Sequence, residues 1–184
     1  VTFAELEARA NRGAHLFRAS GLGVGDHVAM LMENRREFLE IAFAADRAGL
    51  CYTAISTHLT PEEVAYIVDD CGAAMLISSD AFAETLAALA PRLAGRVRVL
   101  VAGAAPAGVE RWDAAALSRP ETPIPDEAQG LDMLYSSGTT GRPKGVKWPL
   151  PGGPPGGRTM LVDLLSGLFG YDLRTRSMGL SCGE

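Results

Sequence analysis

The run Tyr135-Ser136-Ser137-Gly138-Thr139-Thr140-Gly141-Arg142-Pro143-Lys144-Gly145 gathers backbone donors, hydroxyls and one ammonium into a single short stretch. That is equipment for gripping polyphosphate. Gly138, Gly141 and Gly145 are expected to take left-handed backbone angles and bring successive N–H groups to phosphate oxygens without an obstructing Cβ. Ser136, Ser137, Thr139 and Thr140 add donors, and Lys144 adds a mobile positive charge. A Walker A motif is excluded: it has Gly, Lys and Ser or Thr at the fifth, sixth and seventh positions after its first Gly. Counted from Gly138, those positions hold Pro143, Lys144 and Gly145.

The elements that must position this loop read as alternating helices and strands. Thr2 with Glu5 forms a capping box, and Phe3, Leu6, Ala10, Ala14 and Phe17 follow helical spacing behind it. Gly21, Gly23 and Gly25 make a turn into an apolar strand, Val28 to Met32. Asn34 with Glu37 is read as the start of a second helix, closed by Gly49, with Arg35 and Arg36 as solvated charges. Leu50 to Ile55 is the next strand. Thr60, Pro61 and Glu63 supply cap, preset φ and reciprocal acceptor for a third helix that buries Val64, Ile67, Val68 and Cys71 and stops at Gly72. Ala74 to Ile77 reads as strand, Asp80 as the cap of an alanine-rich helix ending near Ala90 before Pro91, and Val97 to Val101 as strand. Strands joined through helices imply an α/β fold with a mostly parallel sheet and helices on both faces.

From about 103 to 130 four prolines loosen the pattern into a connector, with a helical piece over Val109 to Leu117 and Trp112 as its hydrophobic anchor. Leu131 to Tyr135 returns to strand and delivers the loop (135–145) at its carboxyl end, where open α/β sheets place ligands. Residues 149–157 hold four glycines and four prolines, which exclude helix. Thr159 to Phe169 is expected to be helical, with Met160, Leu164, Leu165 and Leu168 on a packed face.

The chain has 184 residues, 47% hydrophobic and 21% charged, enough for one buried core. A net charge of −5 argues against a general affinity for nucleic acid or anionic membrane. No stretch is long and apolar enough to be a transmembrane segment, and the first residues show no secretory leader pattern, so the expected location is cytoplasmic. Cys51, Cys71 and Cys182 fit neither a disulfide framework nor zinc spacing and are read as reduced thiols. His15, His27 and His58 are scattered, and GxSxG is absent, so neither a metal site nor a hydrolase elbow is indicated.

YSSGTTGRPKGV resembles the phosphate-loop signature of the adenylate-forming enzymes, the superfamily of acyl-CoA synthetases, firefly luciferase and peptide-synthetase adenylation domains. An opening helix with Asn11, then GLGVGDHVAMLMENRREFLEIAFAADRAG and LTPEEVAYIVDDCGA, extends the likeness over residues 1–172, as a partial amino-terminal domain; residues 173–184 do not match. Within the superfamily the chain is most similar to a fatty acyl-CoA synthetase. Lys147-Trp148-Pro149 replaces the Thr-His or Ser-His pair common after the KGV triplet, a departure shared by some fatty-acid ligases.

The resemblance implies a two-step reaction in which a fatty or other carboxylic acid is adenylated by ATP and passed to coenzyme A. It also implies that Ser136 approaches Mg2+, and that Ser136, Ser137, Gly138, Thr139, Thr140, Gly141, Lys144 and Gly145 hold the phosphates. The family's later motifs, including its catalytic lysine, do not occur in these residues. The chain alone is therefore expected to be inactive, and to self-associate through an unpaired strand edge and exposed apolar surface. The alternative is a non-catalytic nucleotide-binding or interaction module.

Overall fold

The computed structural model describes residues 1–136 and 142–156, together with Leu164, Gly167 and Leu168. Ser137, Gly138, Thr139, Thr140 and Gly141 of the loop, Cys182, the 173–184 tail and most of the expected 159–169 helix lie outside the described residues. Leu164 and Leu168 are helical but 55% and 67% exposed, so these two side chains are not packed as expected.

The chain opens with α1 (Phe3–Ala19), whose Thr2–Glu5 capping box is closed in both directions at 2.7 and 3.2 Å. β1 (His27–Leu31), α2 (Arg36–Arg47), β2 (Cys51–Ala54), α3 (Pro61–Asp70) and β3 (Met75–Ser79) follow. α3 also carries its predicted capping box, between Thr60 and Glu63. After a 3₁₀ turn over Asp80–Phe82 come α4 (Ala83–Leu93), β4 (Arg98–Ala102), β5 (Glu110–Arg111) and α5 (Trp112–Leu117). β6 (Leu131–Asp132), β7 (Leu134–Ser136) and β8 (Lys144–Val146) complete the described elements.

Six strands form one sheet in the order β5-β4-β3-β1-β2-β6, and every pairing in it is parallel. Alternation along the central strands divides the core in two. Val28, Met30, Met75, Ile77 and Leu100 point to one face, against Phe17, Ile41 and Trp112. Ala29, Leu31, Leu76 and Val101 point to the other, against Val64, Ile67, Val68 and Leu89. The sheet is thus covered on both sides, as the helix–strand alternation implies.

Three local expectations are corrected. Asn34 does not cap α2; the cap position is Arg35, extended at φ −139° and making no side-chain cap bond. Asp80 starts the 3₁₀ turn, and α4 continues through Pro91 to Leu93. A proline inside a helix costs about 3 kcal/mol, but burial of Leu86, Leu89 and Leu93 on one face returns roughly 2 kcal/mol each. The single strand expected over Leu131 to Tyr135 is broken at Met133: β6 ends the main sheet, and β7 turns away to pair antiparallel with β8.

The connector is pinned to α1. Asn11 donates to the Glu121 carbonyl at 2.6 Å, the His15 ring bonds the Thr122 carbonyl at 3.0 Å, and Arg18 pairs with Asp126 at 2.8 Å. Trp112 is 2% exposed and meets Phe17 at 5.6 Å between ring centroids, which makes it the hydrophobic anchor expected. Among the described residues no helix is long and apolar enough to cross a membrane.

Candidate nucleotide phosphate site

The path to the loop begins with a buried polar chain. The Met133 amide donates to the Tyr52 carbonyl at 2.8 Å, and the Met133 carbonyl accepts from the Thr53 hydroxyl at 3.1 Å. Thr53 Oγ1 lies 2.8 Å from His27 Nε2. Thr53 has one proton and spends it on a carbonyl that can only accept, so His27 must donate from Nε2. Burial, with the charge of Lys147, lowers the His27 pKa to about 4. The His27 imidazole is buried, and among the described residues its Nδ1 has no partner. The segment leading to the loop is therefore tied to two central strands.

Beyond Met133 the β7–β8 ribbon pairs Leu134 with Val146, Tyr135 with Gly145 and Ser136 with Lys144. Residues opposite one another share a face. Leu134, Ser136, Lys144 and Val146 therefore lie on one side, and all four are exposed. Ser136 Oγ reaches the Lys144 carbonyl only at 3.5 Å, the outer limit for a hydrogen bond. Among the described residues the Lys144 ammonium has no ion-pair partner. A hydroxyl and a cation thus stand side by side where the chain enters and leaves the loop.

Tyr135 and Gly145 occupy the opposite side. The Tyr135 hydroxyl donates to Asp70 Oδ2 at 2.6 Å, and burial, reinforced by that bond, raises its pKa. Gly145 lies in the extended β8 and not in the left-handed region, which corrects its expected backbone angle. A Cβ there would come within 2.8 Å of the Tyr135 ring and closer still to Met133 Cε. The glycine leaves room for the Tyr135 ring.

Beside the hairpin, Glu62, Glu63, Tyr66, Asp69, Arg92, Arg142 and Pro143 line an open cleft of about 410 Å³. It sets three carboxylates against two guanidiniums, Arg92 paired with Asp69 at 3.3 Å and Arg142 over the Tyr66 ring, a balance that does not favour polyphosphate. The Ser136 and Lys144 face carries the opposite chemistry.

The crevice that open α/β sheets usually offer lies at the strand ends where the order reverses, here between β1 and β3. It is filled by charge. Arg35 donates to Glu37 at 2.8 Å, Asp80 at 3.1 Å, Glu33 at 3.2 Å and the Ala102 carbonyl at 3.3 Å. Ser79 donates to Glu33, and the Ala104 amide donates to Asp80 at 3.2 Å. The bond to Glu37 outweighs the burial of the guanidinium and raises the Arg35 pKa. Arg35 is therefore a structural cation and not the solvated charge expected, whereas Arg36 remains 53% exposed.

Among the described residues no group of three or more His, Cys, Asp or Glu is arranged to hold a metal ion. Ser136 offers one neutral oxygen next to a cation, and that donor set does not make a magnesium site by itself. Cys51 and Cys71 are buried free thiols, and burial raises Cys71 to about 11.

Residues 1–149 match the family described as AMP-binding enzyme. A feruloyl-CoA synthase from an Amycolatopsis species is 39% identical over 150 residues, which are 79% of this chain and 28% of the relative. A long-chain-fatty-acid–CoA ligase of Mycobacterium tuberculosis is 34% identical over 79% of this chain and 29% of its own length. Among solved structures, an anthranilate CoA ligase in complex with anthranoyl-AMP superposes with a TM-score of 0.73 at 28% identity, over 79% of this chain and 29% of that one. The parallel sheet, its helices and the hairpin are thus those of an adenylate-forming amino-terminal domain. The chain belongs to the AMP-binding enzyme family, and it spans under a third of the length of these relatives.

Proposed function

We propose that this chain is the amino-terminal portion of an ATP-dependent, AMP-forming acid–CoA ligase, and that the Ser136 and Lys144 face of the β7–β8 hairpin holds the phosphates of ATP. The observation that carries this reading is the pairing of those two residues across the ribbon at the mouth of a Gly/Ser/Thr-rich run. Ser137, Gly138, Thr139, Thr140 and Gly141 supply hydroxyls and amides between them, and Gly145 contributes by admitting Tyr135 beneath the hairpin. The unit extends to residue 172, with 173–184 outside it.

In the first step a carboxylate oxygen attacks the α-phosphorus of ATP, the bond to the β-phosphate breaks, and pyrophosphate leaves. In the second, the thiol of coenzyme A attacks the acyl carbon and expels AMP. Donors fixed before the reaction stabilise the departing charge without reorganising, and losing one costs roughly 3–4 kcal/mol in comparable sites. Mg2+ would travel with the phosphate oxygens, since Ser136 alone does not hold it. The names of the relatives cover feruloyl, long-chain fatty-acid and anthranilate ligases. That range supports a hydrophobic carboxylic acid, fatty or aromatic, as the substrate class. Buried free thiols and use of ATP support a cytoplasmic setting.

The 184-residue chain is expected to bind MgATP without turning it over. Equilibrium binding with and without Lys144→Ala is the test, with about a tenfold weakening expected. Equal binding by the variant would refute the site. Carboxylate-dependent ATP–pyrophosphate exchange by this chain would overturn its expected inactivity, and binding without exchange would fit a nucleotide-binding module equally well.

A further inference from the structure

The face of the hairpin opposite Ser136 and Lys144 is tied to a single turn of α3. Tyr66 and Asp70 stand at i and i+4 on that helix and so lie one above the other. One Asp70 oxygen accepts from the Tyr135 hydroxyl at 2.6 Å, and the other lies 3.5 Å from the Tyr66 hydroxyl. The Tyr66 ring in turn underlies the Arg142 guanidinium, 5.5 Å from its centroid. Tyr135 lies in β7, on one side of residues 137–141, and Arg142 lies on the other side, just before β8. The contacts therefore run from one limb of the hairpin, through Asp70 and Tyr66, to the other limb.

A ribbon of three residue pairs is marginal alone, and the exposed Leu134 and Val146 give this one no packing on its phosphate-facing side. Its position must be set from beneath. α3 is a fit foundation, because Val64, Ile67 and Val68 are buried and its first turn is closed by Thr60, Pro61 and Glu63. Asp70 lies on the side away from Lys144, so its charge can accept a short charge-assisted bond without competing for the ammonium.

We propose that Asp70 and Tyr66 are positioning residues for the phosphate hairpin, holding its two limbs so that Ser136 and Lys144 present their side chains together. This rests on the phosphate-site reading above. The raised pKa of the Tyr135 phenol keeps it a donor throughout the physiological range, so the tie holds wherever ATP would be bound.

The test measures MgATP dissociation constants and melting temperatures for the full 184-residue chain. Tyr135→Phe and Asp70→Leu are expected to weaken binding about tenfold with little change in melting temperature. Asp70→Asn, which keeps an oxygen for the phenol, should restore most of the affinity. In a Lys144→Ala background Asp70→Leu should cost clearly less than in the native chain, because one of the two groups being positioned is gone, and full additivity would count against the brace. If Lys144→Ala weakens binding while Tyr135→Phe and Asp70→Leu do not, the brace is wrong and the site stands. If Lys144→Ala has no effect, the site itself is wrong. Amide exchange at Tyr135 and Gly145 gives an independent readout: unchanged protection in Tyr135→Phe and Asp70→Leu would overturn the brace, and faster exchange rescued by Asp70→Asn would support it.

Discussion

His27 shows how much a single buried ring settles at the residue scale. An unfolded imidazole takes up a proton near pH 6.5, whereas the folded one resists until about 4. The unfolded state therefore binds more protons between those values, so stability is full above pH 6.5 and falls as the pH drops toward 4. The loss amounts to up to about 3 kcal/mol. His27→Gln keeps a donor for Thr53 and cannot titrate, so its stability relative to the native chain should improve through that window. An imidazole resonance titrating near its ordinary value would contradict this. Arg35 offers a second case, since its removal leaves Glu33, Glu37 and Asp80 facing one another. Arg35→Met is expected to cost about 3 kcal/mol in urea denaturation, and a change below about 1 kcal/mol would show that the network is mere surface pairing. Neither residue's full role was legible from its neighbours in sequence. His27 meets its partner on β2, and Arg35, besides Glu33 and Glu37 two residues away, reaches Asp80 and the Ala102 carbonyl at the ends of β3 and β4.

Among the elements, those whose signals are local were legible. Both capping boxes, the helix–strand alternation and the anchoring of Trp112 follow from residues within a turn or two of each other or from simple apolar periodicity. Asn34 misled because the ion pairs of Arg35 hold the chain extended one residue longer, and Pro91 misled because Leu93 is worth burying. The Gly/Ser/Thr-rich run was legible as a motif, but β8 was not, since Lys144-Gly145-Val146 carries no strand signature until Tyr135 is seen across from Gly145. The contacts of Tyr135 and Arg142 with α3 reach far upstream and leave no pattern at all. Helix packing gives a sharp test at Gly13, where an added Cβ would come within 2.6 Å of Ala44 and 3.1 Å of Trp112. Alanine gains up to about 1 kcal/mol in helix propensity over glycine, yet overpacking costs about 1–3 kcal/mol. Gly13→Ala should thus lower the melting temperature, and a rise would mean that α1 shifts freely against α2 and α5.

On the scale of the whole molecule, the two ends of the main sheet differ. β5 is a short strand of exposed charge, Glu110 and Arg111, which discourages edge pairing. At the other end β6 hands over to a hairpin with Leu134 61% and Val146 47% exposed, and Trp148 follows close behind. Apolar surface gathered at one end is expected to make the chain self-associate in sedimentation velocity as concentration rises. Leu134→Ser with Val146→Ser should reduce that association, and a monomer at every concentration would contradict it.

The charged plug at the ends of β1, β3 and β4 has one more consequence. With the usual crevice occupied by ion pairs, the proposed phosphate-binding face would lie on an appendage joined to the sheet through Met133 and leaning on one helix. Substitutions among the cemented carboxylates should register as altered heat tolerance, and those beneath the appendage as altered nucleotide grip. Durability and grip can then diverge under mutation, each varying without dragging the other along.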